Sequence, residues 1–122
     1  MRNVKVLVVG STAVRRSIKR KLELVTEDAR VVAEAPNSRA AVMLTRRYAP
    51  HLVFLADDLA DEDPAVVVES IRRATPGRVE VILVPAHALD GVPEGVPVMP
   101  RSQYTQRAML AAMTRVIARV SA

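Results

Sequence analysis

The sequence contains no cysteine and very few aromatic residues. Without cysteine the chain has no disulfide, no thiolate nucleophile and no cysteine-ligated zinc site, which suits a reducing cytoplasm. Its one phenylalanine and two tyrosines leave little surface on which nucleic-acid bases could stack. No apolar run approaches the roughly 20 residues of a membrane span, and no secretory signal is recognisable before the first apolar run. We therefore expect a cytoplasmic protein that does not enter a membrane.

The composition predicts one globular domain over residues 1–122, because half of the residues are hydrophobic. The formal net charge is +5 and the isoelectric point is near 10.4. Five acidic residues are concentrated between positions 57 and 63, so the remainder of the chain is more basic than the total indicates. This excess permits weak association with nucleic acid or anionic surfaces. Solvated helix faces rich in arginine are the simpler interpretation.

Short apolar segments alternate with segments of helical periodicity, which is typical of a parallel sheet covered by helices on both faces. The spacing of Val14, Ile18 and Leu22 predicts the first helix, and Asp63-Pro64 predicts the start of the third. Residues 85–95 include several prolines and glycines, so at most one helical turn fits there. The predicted strands are Val4–Val9, Val31–Ala33, Leu52–Leu55, Glu80–Val84 and Val96–Met99.

The carboxyl ends of three predicted strands lack acidic residues. The first strand stops at Gly10-Ser11, the third at Ala56 and the fourth at Pro85. Ligands of parallel sheets bind at this edge, where charged side chains are expected. Glycine, hydroxyl, methyl and proline groups indicate a site that has lost its carboxylates.

The order of these elements resembles the receiver domain of bacterial response regulators. The resemblance covers nearly the whole chain and rests on apolar runs and their spacing. It implies an α/β, flavodoxin-like fold with a doubly wound, five-stranded parallel sheet of order 2-1-3-4-5 and a shortened or missing fourth helix. The matching segments are Val6-Leu7-Val8-Val9 with Ala13-Val14-Arg15-Arg16, Val31–Ala35, Ala49–Leu55, Val81–His87 and Gly95–Pro100.

At every functional position of that family this chain has a different kind of residue. The family's receivers use an acidic pair for Mg²⁺, an aspartate that accepts the phosphoryl group, a hydroxyl, an aromatic switch residue and a lysine. In the same order, the resemblance places these roles on Gly10 and Ser11, Ala56, Pro85, Val96 and Met99.

The substitutions remove the metal ligands and the nucleophile, since Mg²⁺ needs carboxylate oxygens and alanine cannot be phosphorylated. The resemblance therefore implies a pseudo-receiver with no enzymatic activity, metal or cofactor. It would act by contact with a protein such as a histidine kinase, an output domain or a second copy. One alternative is a conventional phosphoacceptor using Asp57, although a one-residue step along a strand reverses the direction of a side chain. Another is a basic regulator that binds nucleic acid or a ligand.

Two further expectations concern the surface. Asp57 and Arg101 should lie at the same edge of the sheet, where a salt bridge between them would hold one fixed conformation. If the fourth helix is missing, apolar surface on the fifth strand and last helix should be open to a partner or a second copy. Alternatively, the proline- and glycine-rich loop covers this surface and leaves a monomer. The candidate interface residues are Val92, Val96, Val98, Met109 and Met113.

Overall fold

The computed structural model describes residues 4–56, 63–75, 77–85, 96–99 and 105–121. Within them, strands and helices alternate along the chain, as the hydrophobic pattern predicts. The strands are β1 (Val4–Val9), β2 (Ala29–Ala35), β3 (Leu52–Ala56) and β4 (Glu80–Val84). The helices are α1 (Thr12–Val25), α2 (Ser38–Tyr48), α3 (Pro64–Ala74) and α4 (Gln106–Ser121).

The described strands form one parallel sheet in the order β2-β1-β3-β4. Alternate side chains of β1 enter different cores, because successive residues of a strand point to opposite faces. Val6 and Val8 pack into the core on the side of α1 and α4, whereas Leu7 and Val9 pack into the core with residues of α2 and α3. The sheet is therefore buried on both faces, which explains the nearly continuous apolar runs of β1, β3 and β4.

The prediction of a fifth strand is wrong for the described part of the chain. Val98 forms only an isolated parallel bridge with Leu83. The Leu83 amide donates to the Pro97 carbonyl at 3.0 Å, and the Met99 amide donates to the Leu83 carbonyl at 2.7 Å. A longer parallel ladder would next need N–H donors from Pro97 on one side and Pro85 on the other. Proline has no N–H, so neither of these two bonds can form.

Side-chain caps fix where three helices begin. Ser11 Oγ accepts a hydrogen bond from the Val14 amide at 3.4 Å, and Asn37 Oδ1 accepts one from the Ala40 amide at 2.8 Å. Asp63 Oδ1 accepts from the Ala65 amide at 2.8 Å, directly before Pro64. These bonds satisfy helix amides that have no partner within the helix. The predicted start of α3 at Asp63-Pro64 is confirmed.

The inner face of α2 includes a polar residue. Thr45 is fully buried, whereas Tyr48 at the end of the helix is 38% exposed. The Thr45 hydroxyl donates to the Ala41 carbonyl at 2.7 Å, so its polar atom is satisfied inside the core.

No helix in the described ranges is long and apolar enough to span a bilayer.

Candidate functional site

The sheet brings the expected site positions together at its carboxyl edge. Val9 pairs with Leu55, and Ala56 pairs with Val84, so Gly10, Ala56 and Pro85 lie at the same end of three adjacent strands. All three residues are buried. The edge where a parallel sheet usually presents its chemistry is therefore closed by a glycine backbone, a methyl group and a proline ring.

The residues that follow β1 have structural roles. Gly10 has a φ of 155°, a conformation more accessible to glycine than to other residues, and its amide donates to the Ala35 carbonyl at 3.0 Å. Ser11 is exposed and uses its side-chain oxygen as the cap of α1. Neither residue supplies a charge, so the first strand ends without the acidic pair of a receiver.

A cation lies beside this strand end. Arg15 Nη1 donates to the Gly10 carbonyl at 2.8 Å, and Arg15 Nε lies 3.3 Å from Glu34 Oε1. Lys19 Nζ lies 3.0 Å from the other carboxylate oxygen of Glu34. Both oxygens of this carboxylate are thus paired with cations of α1. The contact of Arg15 with Gly10 is not evident from the sequence, because it depends on how α1 leaves the strand.

This arrangement does not fit a Mg²⁺ ion. Magnesium binds through one or two carboxylates together with phosphate oxygens and water. Beside Gly10 the structure places a guanidinium, and the nearby carboxylate of Glu34 is held by two cations. Among the described residues, no group of three or more acidic, histidine or cysteine side chains could hold a metal ion.

The positions corresponding to the aromatic switch and the lysine are also apolar and buried. Val96 packs in the core with Leu7 and Val9, whereas Met99 packs with Val8 and Ile82 on the other face. Each is 7% exposed. The expected salt bridge between Asp57 and Arg101 lies outside the described residues and stays a prediction, as does the role of Val92.

The expectation of an open apolar surface at Met109 and Met113 is wrong. Both side chains are fully buried between α4 and the sheet, and Val96 is nearly so. Val98 is exposed and lines a shallow depression of about 360 Å³ between residues 97–99 and the outer face of α4. Much of the α4 wall of this depression is alanine, and Met109 and Met113 are not among its lining residues.

The amino edge of the sheet contains a histidine with a defined tautomer. The Lys5 amide donates to His51 Nδ1 at 2.9 Å, and the His51 amide donates to the Lys5 carbonyl at 2.9 Å. Because Nδ1 accepts, the proton of the neutral ring is on Nε2. Burial and the nearby Lys5 ammonium lower the pKa of His51 below its usual value of 6.5. The position of His51 between two strands, rather than on open surface, is not evident from the sequence.

We expect the protein to lose stability as the solution is acidified through this titration. With the folded pKa below 6.5, the unfolded chain binds the proton first, so the His51 contribution is complete above about pH 6.5 and declines below it. Protonation would also place an N–H against the Lys5 amide donor. His51→Asn retains an acceptor at the position of Nδ1 but does not titrate. Urea unfolding from about pH 7.5 to about pH 5 should show a smaller acid loss in His51→Asn than in the wild type. Equal losses would contradict this role of His51.

The comparisons with known proteins find similarity in structure alone. No protein-family model matches the chain, and no curated protein sequence matches it. Among solved structures, the receiver domain of the putative response regulator NarL from Mycobacterium tuberculosis superposes with a TM-score of 0.78 at 23% identity, over 94% of this chain and 96% of that one. The response regulatory domain of mrkE from Klebsiella pneumoniae gives 0.80 at 10% identity, over 94% and 96%. The response regulator domain of CheB from Thermotoga maritima gives 0.75 at 19% identity, over 97% and 96%.

The chain therefore has the receiver fold of two-component response regulators. The superpositions span nearly the full length of both partners, and the strand order 2-1-3-4 of the described sheet agrees with the order expected for this fold. At these identities the likeness establishes the fold, while the chemistry of the site depends on the residues of this chain.

Proposed function

We propose that this chain is a pseudo-receiver, a signalling module that keeps the receiver fold and acts by protein contact without accepting a phosphoryl group. The observation that carries the proposal is the end of β3. Ala56 is the last residue of this strand, pairs with Val84 of β4 and is fully buried. A methyl group thus stands where the fold would present its phosphoacceptor carboxylate.

The electrostatics at the end of β1 support the same conclusion. A phosphoryl-transfer site of this fold needs a divalent cation to neutralise the charge of the phosphoryl oxygens. Arg15 donates to the Gly10 carbonyl, and together with Lys19 it pairs with Glu34. This network keeps the one described carboxylate near the strand end away from metal binding.

Two described surfaces could receive a protein partner. The basic face of α1 exposes Arg16 and Arg20 beside Lys19, which suits an acidic surface such as that of a kinase or output domain. The depression beside Val98 offers apolar contact where α4 faces residues 97–99. A histidine kinase, an output domain or a second copy remain the partner classes that we propose, in the cytoplasm and without a catalytic role for this chain.

Partner capture with and without a phosphodonor tests whether the contact is independent of phosphorylation. The tagged chain is incubated with lysate of the source cell, with or without acetyl phosphate and Mg²⁺, beside the Asp57→Asn variant. We expect the same proteins at the same yield in all samples. A partner whose recovery changes with acetyl phosphate, and no longer changes in Asp57→Asn, would favour a conventional receiver that uses Asp57.

A protein captured only through nucleic acid would favour the alternative of a basic regulator. Nuclease treatment of the lysate before capture separates this case, because a direct protein contact survives the digestion. The pseudo-receiver proposal expects the captured set to be unchanged by nuclease.

A further inference from the structure

A second charged region lies at the amino edge of the sheet, opposite the Gly10–Ala56–Pro85 edge. A cavity of about 380 Å³ opens where β4 begins, between the segment that follows α3 and the side of α4. Four arginines from different parts of the chain line it: Arg72, Arg78, Arg115 and Arg119. This convergence is not visible in the sequence, where the four residues are spread over nearly fifty positions.

Glu80 is the only acidic residue among the described residues that line the cavity, and its carboxylate is already paired with two arginines. Its side chain is 8% exposed, Oε1 lies 2.8 Å from Arg115 Nη2 and Oε2 lies 2.9 Å from Arg119 Nη1. The pairs hold both guanidinium groups of α4 at the cavity wall. The buried carboxylate thus positions two of the four cations in advance, which reduces the ordering cost when a ligand binds.

Arg72 and Arg78 leave the cavity with excess positive charge. Both side chains are exposed, and neither makes an ion pair with another described residue. Four guanidinium groups and one carboxylate give a formal excess of three positive charges. Arginine cannot relieve this repulsion by losing a proton at ordinary pH, so a bound anion would do so instead.

We propose that this cavity binds a small diphosphate anion, either free or as the diphosphate end of a nucleotide. Guanidinium groups bind phosphate oxygens through paired N–H donors, and a doubly or triply charged ligand matches the excess charge. The volume falls within the range of small-molecule sites, roughly 300–1,000 Å³. The described lining residues include no aromatic side chain on which a base could stack, so recognition is through the phosphates. The site is independent of the proposed pseudo-receiver function.

Calorimetric titration of inorganic pyrophosphate into the full chain tests this site at constant ionic strength and without a divalent cation. We expect saturable binding of one pyrophosphate per chain. Arg72→Gln with Arg78→Gln should weaken binding by roughly tenfold or more, because two of the four guanidinium groups that donate to the phosphate oxygens are lost. Neither substitution disturbs the pairs of Glu80, so the double variant should unfold at the same urea concentration as the wild type.

The matched control is Arg30→Gln with Arg107→Gln, which removes the same charge at exposed positions that do not line the cavity. This control should bind pyrophosphate as the wild type does. A parallel titration with ADP distinguishes a free diphosphate from a nucleotide as the ligand. Equal affinity indicates that the protein recognises only the diphosphate, and tighter binding of ADP indicates that it recognises a nucleotide. The proposal is overturned if the wild type shows no saturable binding, if both double variants weaken it equally, or if duplex DNA binds and pyrophosphate does not.

Discussion

Replacing Ala56 with aspartate is expected to lower the free energy of unfolding by roughly 3–5 kcal/mol, the range for an uncompensated buried charge. Ala56 is fully buried at the end of β3, and the neighbouring strand ends provide Gly10 and Pro85. In a receiver with an intact acidic pair, Mg²⁺ would stabilise a carboxylate at this position. Here we expect millimolar Mg²⁺ to leave the urea midpoint of Ala56→Asp unchanged.

Ala56→Asn is the matched control, because asparagine has nearly the same shape and no charge. It should be less destabilising than Ala56→Asp, and the difference between the two measures the cost of burying the charge. If Ala56→Asp is as stable as the wild type and gains stability with Mg²⁺, the pocket has kept its ability to hold a carboxylate and a metal. That result would contradict the interpretation of this edge as closed.

Replacing Met109 with glutamate should be about as damaging, again by roughly 3–5 kcal/mol, for a different reason. Met109 is fully buried between α4 and the sheet, so the variant loses apolar packing and buries a charge. Leu110 is the adjacent control, since it is 48% exposed on the same helix. Leu110→Glu should stay within about 0.5 kcal/mol of the wild type in urea unfolding.

This pair of variants also separates core from surface on the last helix. If Met109→Glu leaves stability unchanged but breaks up a dimer, Met109 is an interface residue and its burial against the sheet is wrong. If both variants are severely destabilised, the outer face of α4 is covered rather than open to solvent.

Much of the fold could be predicted because its signals are local. The run from Val4 to Val9 predicts a buried strand with nothing more than its apolar, β-branched composition, and Asp63-Pro64 predicts the start of α3 from two residues. The strand ends then place Gly10 and Ala56 at one edge of the sheet, since parallel strands end on the same side. That Gly10, Ser11 and Ala56 carry no carboxylate follows from the sequence alone.

The lack of a regular fifth strand among the described residues could not be predicted from local signals. Pro97 limits pairing on one side, which the sequence shows, but the limit on the other side comes from Pro85. That limit depends on the register that sets Leu83 beside Val98. The register between two strands is set only when the sheet folds. The sequence therefore does not show that Pro85 and Pro97, which are separated by eleven residues, both limit the pairing of β4 with residues 97–99.

Contacts between charged residues were likewise hidden from the sequence. The sequence predicts Glu80 only as the first residue of a strand, whereas in the structure it is buried and paired with Arg115 and Arg119 on the final helix. The burial of Met109 and Met113 could have been predicted more firmly. Their spacing of four places them on one stripe with Val116, which is the pattern of a core-facing helix.

The most direct measurement of the central claim is the intact mass of the purified chain after incubation with acetyl phosphate and Mg²⁺. A receiver domain that retains its aspartate serves as the positive control for the phosphodonor. We predict no phosphorylated species, because Ala56 offers no nucleophile and Gly10 and Ser11 offer no metal ligands. A gain of one phosphoryl group that disappears in Asp57→Asn would contradict the account and identify the chain as a working receiver.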